Sequence, residues 1–222
     1  MSVYLLRCLP ALVLLVVAAV LIWPVLRCAW QRHQLERRIR ALGDQAMQHV
    51  MLDDGMGGHS YFEWLLLTGE GICLLNTRQH RGNIFAGERL ENWAQVIGSR
   101  SHHFRNPLYE LEPLTATLRY HLPSVPLQAA VLFSGDCAFP KGRPTAVLTR
   151  AELPQRAEPR NIPLALQQAW SQLAKKTRAL DPHTESHLQP HRETPAAWRL
   201  WLAITLTGLA LGWLGWCLWA WS

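Results

Sequence analysis

The sequence predicts an α/β domain held between two apolar segments of membrane-crossing length. Three observations predict it. Cys8–Leu26 is a run of 19 uncharged, mostly aliphatic residues, and Leu200–Ser222 is a run of 23. A helix needs about 20 residues to cross a bilayer. Between these runs, helical apolar spacing alternates with short β-rich stretches bounded by glycine and proline. Finally, Tyr61–Arg78, YFEWLLLTGEGICLLNTR, reads as a β-hairpin whose two strands flank Thr68-Gly69-Glu70-Gly71, and a Gly-X loop suits a type II′ turn.

In chain order, the first apolar run is an uncleaved anchor or a signal peptide. It exceeds the ordinary signal core of about 7–15 residues, and no small-x-small cleavage site follows it, which favours the anchor. From Trp30 to Val50, Leu35, Ile39, Leu42, Ala46 and Val50 recur at spacings of three and four, predicting a helix that leaves the membrane and packs on the sheet. Asp53–Ser60 (DDGMGGHS) is a glycine-rich loop, and Arg81–Gly87 a turn with a third short strand. Asn106-Pro107 opens a helix running to about His121, with Leu111, Leu114 and Leu118 on one face; proline suits a first helical turn. Leu127–Ser134 and Thr145–Thr149 read as strands and Pro163–Leu180 as an amphipathic helix. The boundaries are a transmembrane helix over 4–29, a juxtamembrane helix and glycine-rich loop over 30–58, the main domain over 59–180, a polar tether over 181–197 and a second transmembrane helix over 198–222.

Arg27, Arg32, Arg37, Arg38 and Arg40 follow the first span, and Arg192 and Arg199 precede the second. The positive-inside bias therefore places the middle in the cytoplasm and both termini outside. The formal charge of +6 belongs almost wholly to that middle part. It permits contact with nucleic acid or anionic lipid without demanding either. Five scattered cysteines, Cys8, Cys28, Cys73, Cys137 and Cys217, are no disulfide framework. His183, His187 and His191 are spaced as helix-borne metal ligands would be, but Pro182 and Pro190 break the helix, so they read as a solvated tether. His102-His103, beside Arg100 and Arg105, reads as an exposed loop. In the second span Gly208 and Gly212 form GxxxG, a motif that permits self-association. Trp198, Trp201, Trp213, Trp216, Trp219 and Trp221 suit interfacial belts.

With Gly69-Glu70 as the loop, Leu67 faces Ile72, Leu65 faces Leu74, Glu63 faces Asn76 and Tyr61 faces Arg78. These residues would share one face, so a carboxylate, an amide and a guanidinium would meet at the hairpin's open end. A simpler account is a hydrogen-bonded Glu63–Asn76 pair with Arg78 neutralising Glu63.

Glu63-Trp64, Gly71-Ile72, Asn76-Thr77-Arg78, Gly82-Asn83-Ile84, Trp93, Asn106-Pro107-Leu108-Tyr109-Glu110 and Val131-Leu132-Phe133 follow one another in order over roughly residues 43–149. This series resembles the nuclease-related domain (NERD) family of the PD-(D/E)XK nuclease-like superfamily. The resemblance implies a mixed sheet flanked by helices, with Glu63 at the family's Asp-His pair, Asn76 and Arg78 at its Glu-x-Lys, and Glu110 at its Gln. Active members hold Mg²⁺ on clustered carboxylates, which then generates a hydroxide nucleophile. Asn76 removes one of those charges, and Arg78 cannot deprotonate near neutral pH. Catalysis is therefore expected to be impaired, no cofactor to be required, and the function to be binding of DNA or of a membrane protein partner. Arg78, Arg81, Arg100 and Arg105 are the candidate nucleic-acid contacts. The alternative is an active Mg²⁺-dependent nuclease using Glu63, Glu110 and Asp44 as a rearranged acidic set.

Overall fold

The computed structural model describes residues 2–156, 161–180 and 197–219. It is mixed α/β and divides into two units, one of residues 1–34 with 190–222, the other of residues 35–189.

In the first unit, helix α1 (Ser2–Arg40) contains a stretch, Leu12–Arg40, long and apolar enough to cross a membrane. The C-terminal helix, numbered α4 (Ala197–Trp219) in chain order, has a shorter apolar stretch, Trp201–Trp213, among the described residues. Ala18, Ala203 and Ala210 are buried, whereas Val13, Val20, Leu209 and Trp216 are exposed.

The second unit is built on a six-stranded sheet of order β10-β1-β2-β3-β7-β9. Its members are β1 (Gln45–Asp53), β2 (His59–Thr68), β3 (Gly71–Arg78), β7 (Leu127–Phe133), β9 (Val147–Thr149) and β10 (Arg178–Ala179). The pairs β10–β1, β1–β2 and β2–β3 are antiparallel, while β3–β7 and β7–β9 are parallel. A second sheet of order β6-β5-β4-β8 joins β4 (Gly82–Phe85), β5 (Asn92–Ile97), β6 (Arg100–Arg105) and β8 (Cys137–Ala138). Helices α2 (Leu111–His121) and α3 (Leu164–Lys176) send Leu111, Leu118, Leu166, Trp170 and Leu173 into the larger core, beside Leu65, Leu67, Leu74 and Val131. Ile39, at the end of α1, packs in a second core with Trp64, Leu66, Leu75 and Leu132. The six-stranded sheet is thus covered on both faces.

The helix expected to run from Trp30 to Val50 stops at Arg40, and Gln45–Asp53 is strand. The chain turns at Gly43, where a Cβ would lie 2.8 Å from the Leu67 carbonyl oxygen. Asp44 N–H then donates to that same oxygen at 2.8 Å. Leu42, Ala46 and Val50 fit helical spacing, but pairing with β2 decides the outcome, as strand formation depends on neighbours more than on propensity. The glycine-rich loop is shorter than expected, because β1 runs to Asp53 and β2 begins at His59. In between, the Asp54 carboxylate accepts from Met56 N–H at 2.8 Å and Gly58 N–H at 2.9 Å, and these bonds, with the Met56 one foremost, hold its pKa below the ordinary value. Helix α3 ends at Lys176 rather than Leu180, since Arg178–Ala179 pairs with β1. His102 and His103 lie on the edge strand β6, not in a loop. The tether residues 181–196, with His183, His187 and His191, lie outside the described residues.

Candidate functional site

The β2–β3 hairpin has the expected register: Trp64 pairs with Leu75, Leu65 with Leu74, Leu66 with Cys73 and Leu67 with Ile72. Gly71, at φ 149°, closes the turn, and any Cβ there would overlap the Pro126 carbonyl oxygen. Thr68 Oγ1 donates to Gly71 O at 2.9 Å.

The pairing ends at Trp64–Leu75, one step short of Glu63 and Asn76. The Glu63 carboxylate then bridges the gap between the strands, where Thr77 donates to it twice, from its backbone N–H at 2.6 Å and from its hydroxyl. A side-chain carboxylate thus takes an N–H that a strand carbonyl would otherwise accept. This corrects the expected face-sharing quartet. Glu63 meets Thr77 in the cleft between strands, and Tyr61 meets His49 rather than Arg78, through its hydroxyl and the ring Nδ1. Arg78 neutralises Glu110 instead of Glu63, and its Nη1 donates to Thr77 O at 2.9 Å. Asn76 follows Ile72 and Leu74 on the face toward α2. It is only 8% exposed.

His49 is the residue least legible in the sequence, because the helical apolar spacing from Trp30 to Val50 runs through its segment. It is the only non-glycine residue with positive φ (53°) among the described residues, a conformation that is uncommon and found preferentially at specialised positions. It stands where β1 crosses Glu63, between the pairs Gln48–Trp64 and Val50–Phe62. Strict alternation would put Met47 and Val50 on opposite faces, yet both pack in the larger core, so the strand resets its facing at His49. Arg40 Nη2 donates to Gln48 Oε1 at 3.1 Å, and Gln48 Nε2 lies 3.0 Å from His49 Nε2. Guanidinium and amide nitrogens only donate, so Gln48 is orientated with its oxygen to Arg40, and His49 Nε2 accepts. The proton of neutral His49 therefore sits on Nδ1, facing Tyr61.

The second sheet abuts the end of β3. Trp93 is fully buried and its Nε1 donates to Gly87 O at 3.0 Å. Asn106, also fully buried, donates to the Leu90, Glu88 and Gly87 carbonyls at 2.8, 3.2 and 3.4 Å and accepts from Leu108 N–H at 3.0 Å. It therefore fixes the 3-10 turn Pro107–Glu110, and with it the carboxylate that reaches Arg78. Arg81 is exposed, its carbonyl accepting from Gln95 Nε2 at 2.8 Å. Arg100 and Arg105 are exposed on β6, with no acidic residue between Asn92 and Tyr109.

Among the described residues, no three His, Cys, Asp or Glu side chains gather where one ion would bind them. Asp44 is exposed at the entry to β1, and Glu63 and Glu110 are engaged by different partners. Burial raises the Cys73 thiol to about 11, and burial with Asp136 nearby raises Cys137. Neither is an activated nucleophile, which needs a lowered pKa. No family model, no curated protein and no solved structure matches the chain.

Proposed function

We propose that this chain is a two-pass protein of a bacterial inner membrane, with both termini outside, whose cytoplasmic domain is a NERD-type fold that binds nucleic acid without cleaving it. The order helix, three antiparallel strands, the strands β4–β6 of the second sheet, helix, parallel strand supports the mixed sheet that the resemblance implies. The observation that carries the loss of catalysis is the engagement of the two charged site residues: Glu63 by Thr77, Arg78 by Glu110. A catalytic cation needs several convergent carboxylates, and Asn76 supplies none. Binding falls to the exposed cations Arg81, Arg100 and Arg105 around the second sheet, with Arg78 at its border. Such cations bind phosphates by releasing counterions.

The test uses the full chain in nanodiscs of neutral lipid, titrated with labelled DNA and with Mg²⁺ or Mn²⁺. The expected result is binding that weakens as salt rises, with a log–log slope of about −2 to −3 for three phosphate contacts, and intact DNA at every metal concentration. Metal-dependent cleavage that Glu63→Ala abolishes would establish the nuclease alternative instead. Absence of any salt-dependent DNA binding would leave the surface to a protein partner.

A further inference from the structure

We propose that Glu110 is a built-in competitor for the nucleic-acid phosphodiester at Arg78, and that its displacement uncovers a two-residue contact made by Arg78 and Asn76. The inference rests on the binding function proposed above and concerns how that surface is regulated.

Arg78 is not a spare surface cation. Its guanidinium is held by Glu110, which reaches it from a turn pinned by Asn106, while Nη1 is held by Thr77 O. Carboxylate and phosphodiester offer a guanidinium fork the same kind of paired oxygen acceptors. The Glu110 carboxylate therefore stands where a phosphate oxygen would bind. The pair is open to exchange, because its side chains are 30% and 44% exposed and ion pairs this wet hold weakly.

Asn76 supplies the independent observation. It lies two residues before Arg78 on the same face of β3, hence about 6.6 Å away along the strand. The residue is more than nine-tenths buried, yet its side chain makes no hydrogen bond among the described residues. Among the described residues no fully enclosed side-chain N or O lacks a partner, so the amide's polar atoms keep some contact with solvent. A polar group this buried ordinarily has a partner. An amide donor and a guanidinium fork on one face of a strand can serve oxygens of adjacent phosphodiesters. While Glu110 holds Arg78, only the amide is open to a phosphate oxygen.

An ion pair that merely staples β3 to the turn before α2 would also give this geometry, and binding measurements separate the two. In neutral-lipid nanodiscs, with labelled single-stranded DNA over a salt series, Glu110→Gln should tighten binding by about 3–10-fold and steepen the salt slope by roughly one contact. Arg78→Gln added to it should erase both gains. Asn76→Ala should weaken binding in the Glu110→Gln background. Unchanged affinity and slope for a folded Glu110→Gln protein would overturn the inference, leaving the proposed function standing if the parent binds DNA. No binding by parent or variant would sink both. A Glu110→Gln protein that gains affinity for phosphatidylglycerol vesicles but none for DNA in neutral-lipid nanodiscs would assign Arg78 and Asn76 to lipid headgroups and overturn the nucleic-acid assignment.

Discussion

The two ends of the β2–β3 hairpin are made from different materials. At the closed end Leu65, Leu67, Ile72 and Leu74 are wholly removed from water, and each faces its partner in unbroken register. At the open end the strands part, and Glu63, Thr77 and Arg78 are placed by bonds to one another and to Glu110. Apolar pairing is short-range and non-directional, so local sequence sets it. The polar end is directional, and its geometry depends on which groups arrive from elsewhere in the chain.

The largest expected effect tests the closed end. Leu65→Ala should cost about 2–5 kcal/mol, because a fully enclosed leucine leaves a cavity between two packed layers. Denaturant titration of the full chain would read it. A loss below about 1 kcal/mol would mean that the hairpin is not the centre of the core. Next, Asn106→Ala should cost roughly 2–3 kcal/mol, since it strands the carbonyls that its amide satisfies and the N–H of Leu108. That loss should be local: hydrogen exchange should speed up over β4–β6 and the Pro107–Glu110 turn before it changes in β2 or β3. Uniform acceleration would show that the two sheets unfold as one.

At the open end, Glu63→Ala should cost about 1–2 kcal/mol, as the Thr77 N–H is left to water in a half-buried gap. Thr77→Val should cost less, because the backbone N–H keeps its carboxylate. If Thr77→Val proves the more damaging change, the hydroxyl and not the N–H is the main tie, and the carboxylate is no substitute for a strand carbonyl.

This division also explains what the sequence revealed. Thr68-Gly69-Glu70-Gly71 between two apolar runs carries enough local information to place every pair of the closed end. β1 was obscured because Ala46 and Val50 satisfy helical and strand spacing alike, and only the long-range pairing with β2 chooses between them. β5 and β6 turn few large side chains inward, chiefly Trp93 and Phe104, so neither shows a clean alternation. The partner of Arg78 lies 32 residues along the chain, behind a turn that Asn106 sets. Asn76, Arg78 and Glu110 were all visible as candidates, but no spacing rule said that the guanidinium would choose Glu110 over Glu63.

The smallest effect comes from a second exposed ion pair, which repeats the chemistry of Arg78–Glu110 away from the hairpin. Arg143 and Glu152 bond through both carboxylate oxygens, with side chains 32% and 39% exposed. The Arg143 hydrogen bond is the chief reason that Glu152 is lowered from 4.5 to about 2, and bonds from Thr149 N–H and Oγ1 reinforce it. A carboxyl lowered in the folded state contributes stability above its ordinary pKa and loses it as the pH falls through the folded value. The contribution should therefore be whole above about pH 5 and decline from about 4.5 towards 2. Solvent at this exposure limits it to about 1 kcal/mol or less. Arg143→Gln should lower the melting temperature slightly at pH 7, and the gap from the parent should close as the pH falls towards 2.5 or as salt rises. A gap that persists at low pH would show that Arg143 acts through the packing of its stem, and exposed ion pairs in this fold would then be poor models for a carboxylate that a phosphate can displace.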